Sequence, residues 1–139
     1  EAGFHPDLSG YQNIFLNGML LGMNKYDITK KLDRIIRFAD IGQFIDTPLF
    51  TYSNGMKLRL GFAIAIHADP DILMLDEGMS VGDKSFQEKS TLTIQKLIKT
   101  GVTLFMASHQ IETMEQICQR YIVFDKNRIA ADGSKKTLS

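Results

Sequence analysis

The chain has 139 residues, of which 44% are hydrophobic, with 16 basic side chains balanced by 16 acidic ones. That length suits one compact domain or a large piece of one, and the composition requires a packed core and excludes wholesale disorder. Zero net charge gives no support to a general nucleic-acid binder, so no nucleic acid is expected as partner, and a lone cysteine, Cys118, excludes a disulfide framework and fits a reducing setting.

Ser9 followed by Gln12 is a capping-box pattern and predicts a helix from about Gly10 to Leu21, stopped at Gly22. Asn24 offers a second N-cap. After it, Ile28, Leu32, Ile35, Ile36 and Ala39 recur at helical spacing between charged residues, the pattern of a surface helix with one apolar face. Residues 43–52 form a connector containing Pro48, in which Phe44, Phe50 and Tyr52 are expected to pack beneath the loop. Ser53 then caps a well-buried helix reaching about His67, where Asp69-Pro70 breaks it.

Ile72 to Leu75 is a continuous apolar run, as in a central strand covered on both faces. A helix over Lys84–Thr100, ended by Gly101, leads into a second such strand, Val102–Ala107. A helix over Ile111–Gln119 carries Cys118 as a small core residue. Tyr121–Phe124 and Arg128–Ala131 flank Asp125-Lys126-Asn127 as a hairpin. The order predicts an α/β chain with two parts. Three helices come first, and strand-helix-strand-helix-strand-strand follows, with parallel strands, crossover helices and a C-terminal hairpin. No apolar stretch approaches the roughly 20 residues of a membrane span, so a link to a membrane would pass through a partner.

The chemistry gathers at strand ends. Asp76 and Glu77 close an apolar strand, and ligands of open parallel sheets bind beyond such carboxyl ends. Asp76 suits a hydrated magnesium ion carrying nucleotide phosphates, and Glu77 suits the orientation of an attacking water. A pair of carboxylates that caps a helix or forms surface ion pairs would read the same way. The second strand ends in Ser108-His109, where an imidazole can donate to a phosphate oxygen or serve only as a structural residue. Ser53-Asn54-Gly55, at a helix start, is either an anion site or a plain N-cap and turn.

Taken in order, these segments resemble the ATPase domain of ATP-binding-cassette (ABC) proteins. Tyr52-Ser53-Asn54-Gly55-Met56, with Arg59, stands where the family signature and its downstream arginine lie. Ile72 to Glu77 resembles the Walker B strand with its catalytic glutamate, Ser80 to Asp83 the D-loop, and His109 the switch histidine. The opening Gly3-Phe4-His5-Pro6-Asp7-Leu8-Ser9-Gly10, the run Asn13-Ile14-Phe15-Leu16-Asn17-Gly18 and the D-loop Met79-Ser80-Val81-Gly82-Asp83 are similar to the ATPase subunits of bacterial exporters of O-antigen, capsule and teichoic acid. The resemblance implies a partial P-loop NTPase-like fold, with a helical subdomain over residues 1–52 and the C-terminal part of the ATPase core over residues 53–139, and with ATP and Mg2+ as ligands. It implies Glu77 and His109 as catalytic residues, Asp76 at the metal, and Ser53, Asn54, Gly55, Met56, Ser80 and Asp83 at the nucleotide. It also implies a head-to-tail dimer of ATPase subunits, a separate membrane permease that meets the helical part, and a peripheral place on the cytoplasmic face of the membrane. A soluble ABC ATPase unconnected with transport and a non-catalytic interaction module are the alternatives.

The phosphate-loop pattern Gly-x-x-x-x-Gly-Lys-Ser/Thr does not occur. The chain is therefore expected to be a C-terminal fragment that by itself neither binds ATP tightly nor hydrolyses it.

Overall fold

Helix α1 (Gly10–Leu20) begins where its capping box sets it. The Ser9 hydroxyl accepts the Gln12 N–H, and the Gln12 side chain accepts the Ser9 N–H. In the computed structural model, which describes residues 3–76 and 83–134, α2 follows over Lys25–Ala39. The Asn24 side chain accepts the Asp27 N–H at its start, and Asp40 closes it in the left-handed region at φ 51°. The connector is two short 3-10 turns, Gly42–Asp46 and Leu49–Thr51. It is laced to the N-terminal segment, since Leu49 N–H donates to Leu8 O and Phe50 N–H to Pro6 O, both at 2.9 Å. Of the three connector aromatics, Tyr52 is buried, but Phe50 is 64% exposed and Phe44 lies half outside. The buried position of that turn goes to Leu49 instead.

Helix α3 (Asn54–His67) packs on α1 and α2. One apolar cluster runs from Ile14, Ile28 and Ile35 through Leu60 and Ile64 to Leu73, Phe86, Ile94 and Ile117. Several of these side chains are wholly buried, each contributing about 1.5–3 kcal/mol relative to exposure. The core thus passes residue 52 without interruption, because α3 supplies its centre.

Strand β1 (Ile72–Asp76), helix α4 (Lys84–Lys99) and strand β2 (Thr103–Ala107) form the expected parallel crossover unit. Pairing runs from Ile72 opposite Thr103 to Asp76 opposite Ala107. Contrary to the sequence pattern, only one face of this pair is covered. Leu73 is buried, and Leu75, Leu104 and Met106 pack against the core, while Met74 is 77% exposed and Ile72 and Phe105 lie open beside it. Successive side chains of a strand point to opposite faces, and no described element lies over the second one.

Helix α5 (Ile111–Ile117) stops short of Gln119 because Cys118 turns extended. The Tyr121 hydroxyl donates to the Cys118 carbonyl at 2.8 Å. Burial pushes the Cys118 thiol pKa up, which suits a packing residue rather than a nucleophile. Strands β3 (Tyr121–Asp125) and β4 (Arg128–Gly133) form a separate antiparallel hairpin. Lys126 and Asn127 sit at φ 47° and 61°, as a primed two-residue turn requires. Among the described residues, no helix is long and apolar enough to cross a membrane.

His67, at the end of α3, gives the fold a pH dependence. Burial holds its pKa below the ordinary value, opposed by the Ala63 carbonyl and Asp69 and helped by the charges of Lys31 and Arg34. Its ring also packs edge-on to Phe38 at 5.8 Å. The unfolded chain therefore binds a proton that the folded chain resists, and stability is lost as pH falls below about 6.5. Melting curves between neutral pH and pH 5 are expected to show this loss, and His67→Gln to flatten it. An unchanged slope in that variant would remove His67 as the cause.

Candidate functional site

The first candidate element is the start of α3. Ser53 is exposed, with an extended backbone, and its hydroxyl accepts the Met56 N–H at 3.2 Å. Capping uses one lone pair, so the hydroxyl proton remains available to a ligand. Asn54 and Gly55 occupy the first helical positions, whose backbone N–H groups have no partner within a helix. Their dipoles and donors favour an anion. Met56 differs from its neighbours, because its side chain packs against the core.

The second element is the carboxyl edge of the parallel pair. Asp76 is the last residue of β1 and is exposed, and its carboxylate makes no hydrogen bond or ion pair with another described residue. Its register partner Ala107 is the last residue of β2, so Ser108 and His109 leave the sheet on the same edge. His109 is exposed there, and the Ser108 hydroxyl accepts the Gln110 N–H at 3.0 Å, which shapes the turn around it. Glu77 and Ser80 lie outside the described residues. Among the described residues no group of three ligating side chains gathers for a metal.

Asp83 behaves differently from a simple ligand contact. One of its oxygens accepts the Phe86 N–H at 2.9 Å and caps α4, and the other receives the Arg59 guanidinium at 2.6 Å. The Phe86 N–H first, then Arg59, hold this carboxyl below the usual carboxylate range. The capping role is legible, since an aspartate stands directly before a helical run. The ion pair is not, because its partner is 24 residues away.

The Asn13 to Gly18 run also acquires a physical meaning that pattern alone does not supply. Asn13 is wholly buried and joins His5, Leu8 and Ser9 to α1. Asn17 donates to the Gly3 and Asn13 carbonyls. A methyl group on Gly18 would meet Ile28 and Met23 at 2.9 Å. These residues build the face from which the helical part is assembled.

No family model matches the sequence. Among curated proteins, the chain is 42% identical over 137 residues to the O-antigen export system ATP-binding protein RfbB of Klebsiella pneumoniae, covering 99% of this chain and 56% of that protein. It is 42% identical over 133 residues to the teichoic acids export ATP-binding protein TagH of Lactococcus lactis, covering 96% of this chain and 28% of that protein. The chain thus spans about half the length of the first of these relatives and less of the second. Among solved structures, the ATP-binding subunit of an ABC transporter superposes with a TM-score of 0.87 at 17% identity, over 96% of this chain and 55% of that one. The ATP-binding cassette MJ0796, in a dimer bound to ADP and phosphate, superposes with a TM-score of 0.77 at 19% identity, over 94% of this chain and 58% of that one. The fold is that of part of an ABC nucleotide-binding domain, of the P-loop NTPase class, as the motif order implied. The chain thus corresponds in fold to part of an ABC ATP-binding protein, and the two sequence relatives given above are named for O-antigen and teichoic-acid export.

Proposed function

We propose that this chain is the signature, carboxylate and switch-histidine portion of an ATPase subunit that drives export of a cell-surface polysaccharide. The names of its relatives support the substrate class. The single observation that carries the chemistry is the register of β1 and β2, which brings Asp76 and the segment leading to His109 to one edge. At that edge, Asp76 would hold Mg2+ together with the phosphates of ATP, and the ion would supply positive charge against the negative charge developing on the transferred phosphoryl group. His109 donates a hydrogen bond to a phosphate oxygen, and Glu77 orients the attacking water. The Ser53 hydroxyl and the N–H groups of Asn54 and Gly55 face the terminal phosphate of a nucleotide held mainly by a second, head-to-tail subunit. Ser80 and Asp83 belong to the same dimer contact.

Residues 1–52 form the part that meets a membrane permease, with the subunit peripheral on the cytoplasmic face. An apolar groove of about 400 Å³ lies between Phe4, Leu20 and Leu21 of this part and Gly61, Ile64 and Ala65 of α3.

The test is Glu77→Gln in the full-length protein. Turnover is expected to fall on the order of 10²-fold, with ATP retained in a dimer that elutes earlier than the wild-type protein under the same conditions. Undiminished hydrolysis would exclude Glu77 from the reaction. A variant that stays monomeric with ATP would exclude the shared site.

A further inference from the structure

Arg59 occupies an unusual junction. It lies six residues beyond the Ser53 cap, about 9 Å along the axis of α3. Its side chain is only 15% exposed, yet it reaches two exposed carboxylates on different elements. One guanidinium nitrogen bonds Asp83, the N-cap of α4, at 2.6 Å. The other stands 3.4 Å from the Asp40 carbonyl and 3.7 Å from its carboxylate, at the left-handed close of α2. The guanidinium plane lies over the Phe86 ring at 4.8 Å. Phe86 in turn packs edge-on to Phe38 and Phe62. A second cation supports the same seam, because the Lys89 ammonium donates to the Arg37 and Phe38 carbonyls and sits over the Phe38 ring.

We propose that Arg59 is a positioning residue of the hydrolytic reaction, locking the start of α4 to the helix that carries the Ser53–Gly55 turn. Asp76 is fixed at one end by pairing with β2, and Asp83 at the other by Arg59. Both described residues that bracket Glu77 in the sequence are thereby fixed. The same arginine sets the distance from those ends to the turn of α3 that faces the second nucleotide. A guanidinium suits this task because its fork bonds two partners at once while its face stacks on a ring. A lysine can keep the charge but not the fork. The inference rests on the proposed ATPase function and adds a residue that touches no substrate.

The test uses the full-length protein, with ATP turnover and melting temperature measured for Arg59→Gln, Arg59→Lys, Asp83→Asn and the Arg59→Gln/Asp83→Asn pair. Asn keeps the N-cap of α4, so Asp83→Asn takes the charge from the ion pair with Arg59 while the cap remains. Arg59→Gln is expected to lower kcat about tenfold with KM for ATP changed less than about threefold, as misplacement of reacting groups does. Arg59→Lys should fall between, and the pair should be no slower than Arg59→Gln. Assays run well below every melting temperature keep the folded fraction constant. Wild-type kcat in Arg59→Gln, or losses that multiply in the pair, would overturn the proposal. Glu77→Gln serves as reference. If it abolishes turnover while Arg59→Gln does not change it, only this inference falls. A wild-type protein without ATPase activity removes the proposed function and this inference with it.

Discussion

Asn13→Leu is expected to destabilise the protein by about 3–5 kcal/mol, although leucine has the same branching of side-chain heavy atoms and belongs in a core. Asn13 is completely buried, and its side-chain oxygen accepts the His5 N–H at 2.8 Å. Its amide nitrogen lies 3.0 Å from the His5, Leu8 and Ser9 carbonyls. Two amide hydrogens serve these three acceptors, so at least one is shared. Leucine would leave the His5 N–H without its acceptor, at about 1–3 kcal/mol, and would take both amide hydrogens from carbonyls that then keep only the Leu8, Leu49 and Asn13 N–H groups, at about 1 kcal/mol for each hydrogen bond lost. The segment 5–8 would then loosen from α1, and with it the connector, whose Phe50 and Leu49 N–H groups bond to Pro6 and Leu8. Asn13→Asp keeps the acceptor for His5 but turns a negative charge on the three carbonyls, so it should be no milder. Denaturant unfolding of both variants checks this, and a loss below about 1 kcal/mol for leucine would show that the network is dispensable.

Gly10→Ala should cost about 3 kcal/mol, against the stabilisation that helix propensity alone predicts. A methyl group built on Gly10 meets the Tyr52 hydroxyl at 2.1 Å and Ile45 at 3.2 Å. The tyrosine has nowhere cheap to go. It is buried, its hydroxyl donates to the Phe44 carbonyl, and its ring packs edge-on to Phe44 at 6.4 Å. Burial first, then the nearby Asp46 charge, raise its pKa to about 12, against a favourable Gly10 N–H. Overpacking accounts for about 1–3 kcal/mol of the loss, and a displaced hydrogen bond for about 1 more. Tyr52→Phe removes the oxygen that collides, so the double variant Gly10→Ala/Tyr52→Phe should be more stable than the sum of the singles by at least about 1 kcal/mol. Strict additivity, measured by the same unfolding curves, would mean that the two residues do not meet.

These two positions mark where the sequence was legible and where it was not. Every helix start read from a capping residue is found at that residue: Ser9, Asn24 and Ser53 each accept an N–H three positions on. The crossover unit and the hairpin are likewise found in the expected order. Strand coverage was misread, because an apolar run states what a strand can bury but not what lies above it. Phe50 was misread for a related reason, since a turn with two apolar neighbours buries only one of them.

For the candidate site, Asp76 and His109 were legible as ends of strands, and the register that unites them followed from the parallel crossover. The Arg59–Asp83 contact was not, nor was the purpose of Asn13.

What the sequence determined alone was local: caps, breaks, strand type and the order of motifs, all set by backbone sterics and by hydrogen bonds a few residues long. Only the tertiary structure decided which glycine faces a tyrosine, which arginine reaches which carboxylate, and which face of β1 meets the helices. Those choices depend on how separate segments fill one volume, and a contact 24 or 51 residues apart leaves no trace in either segment taken singly.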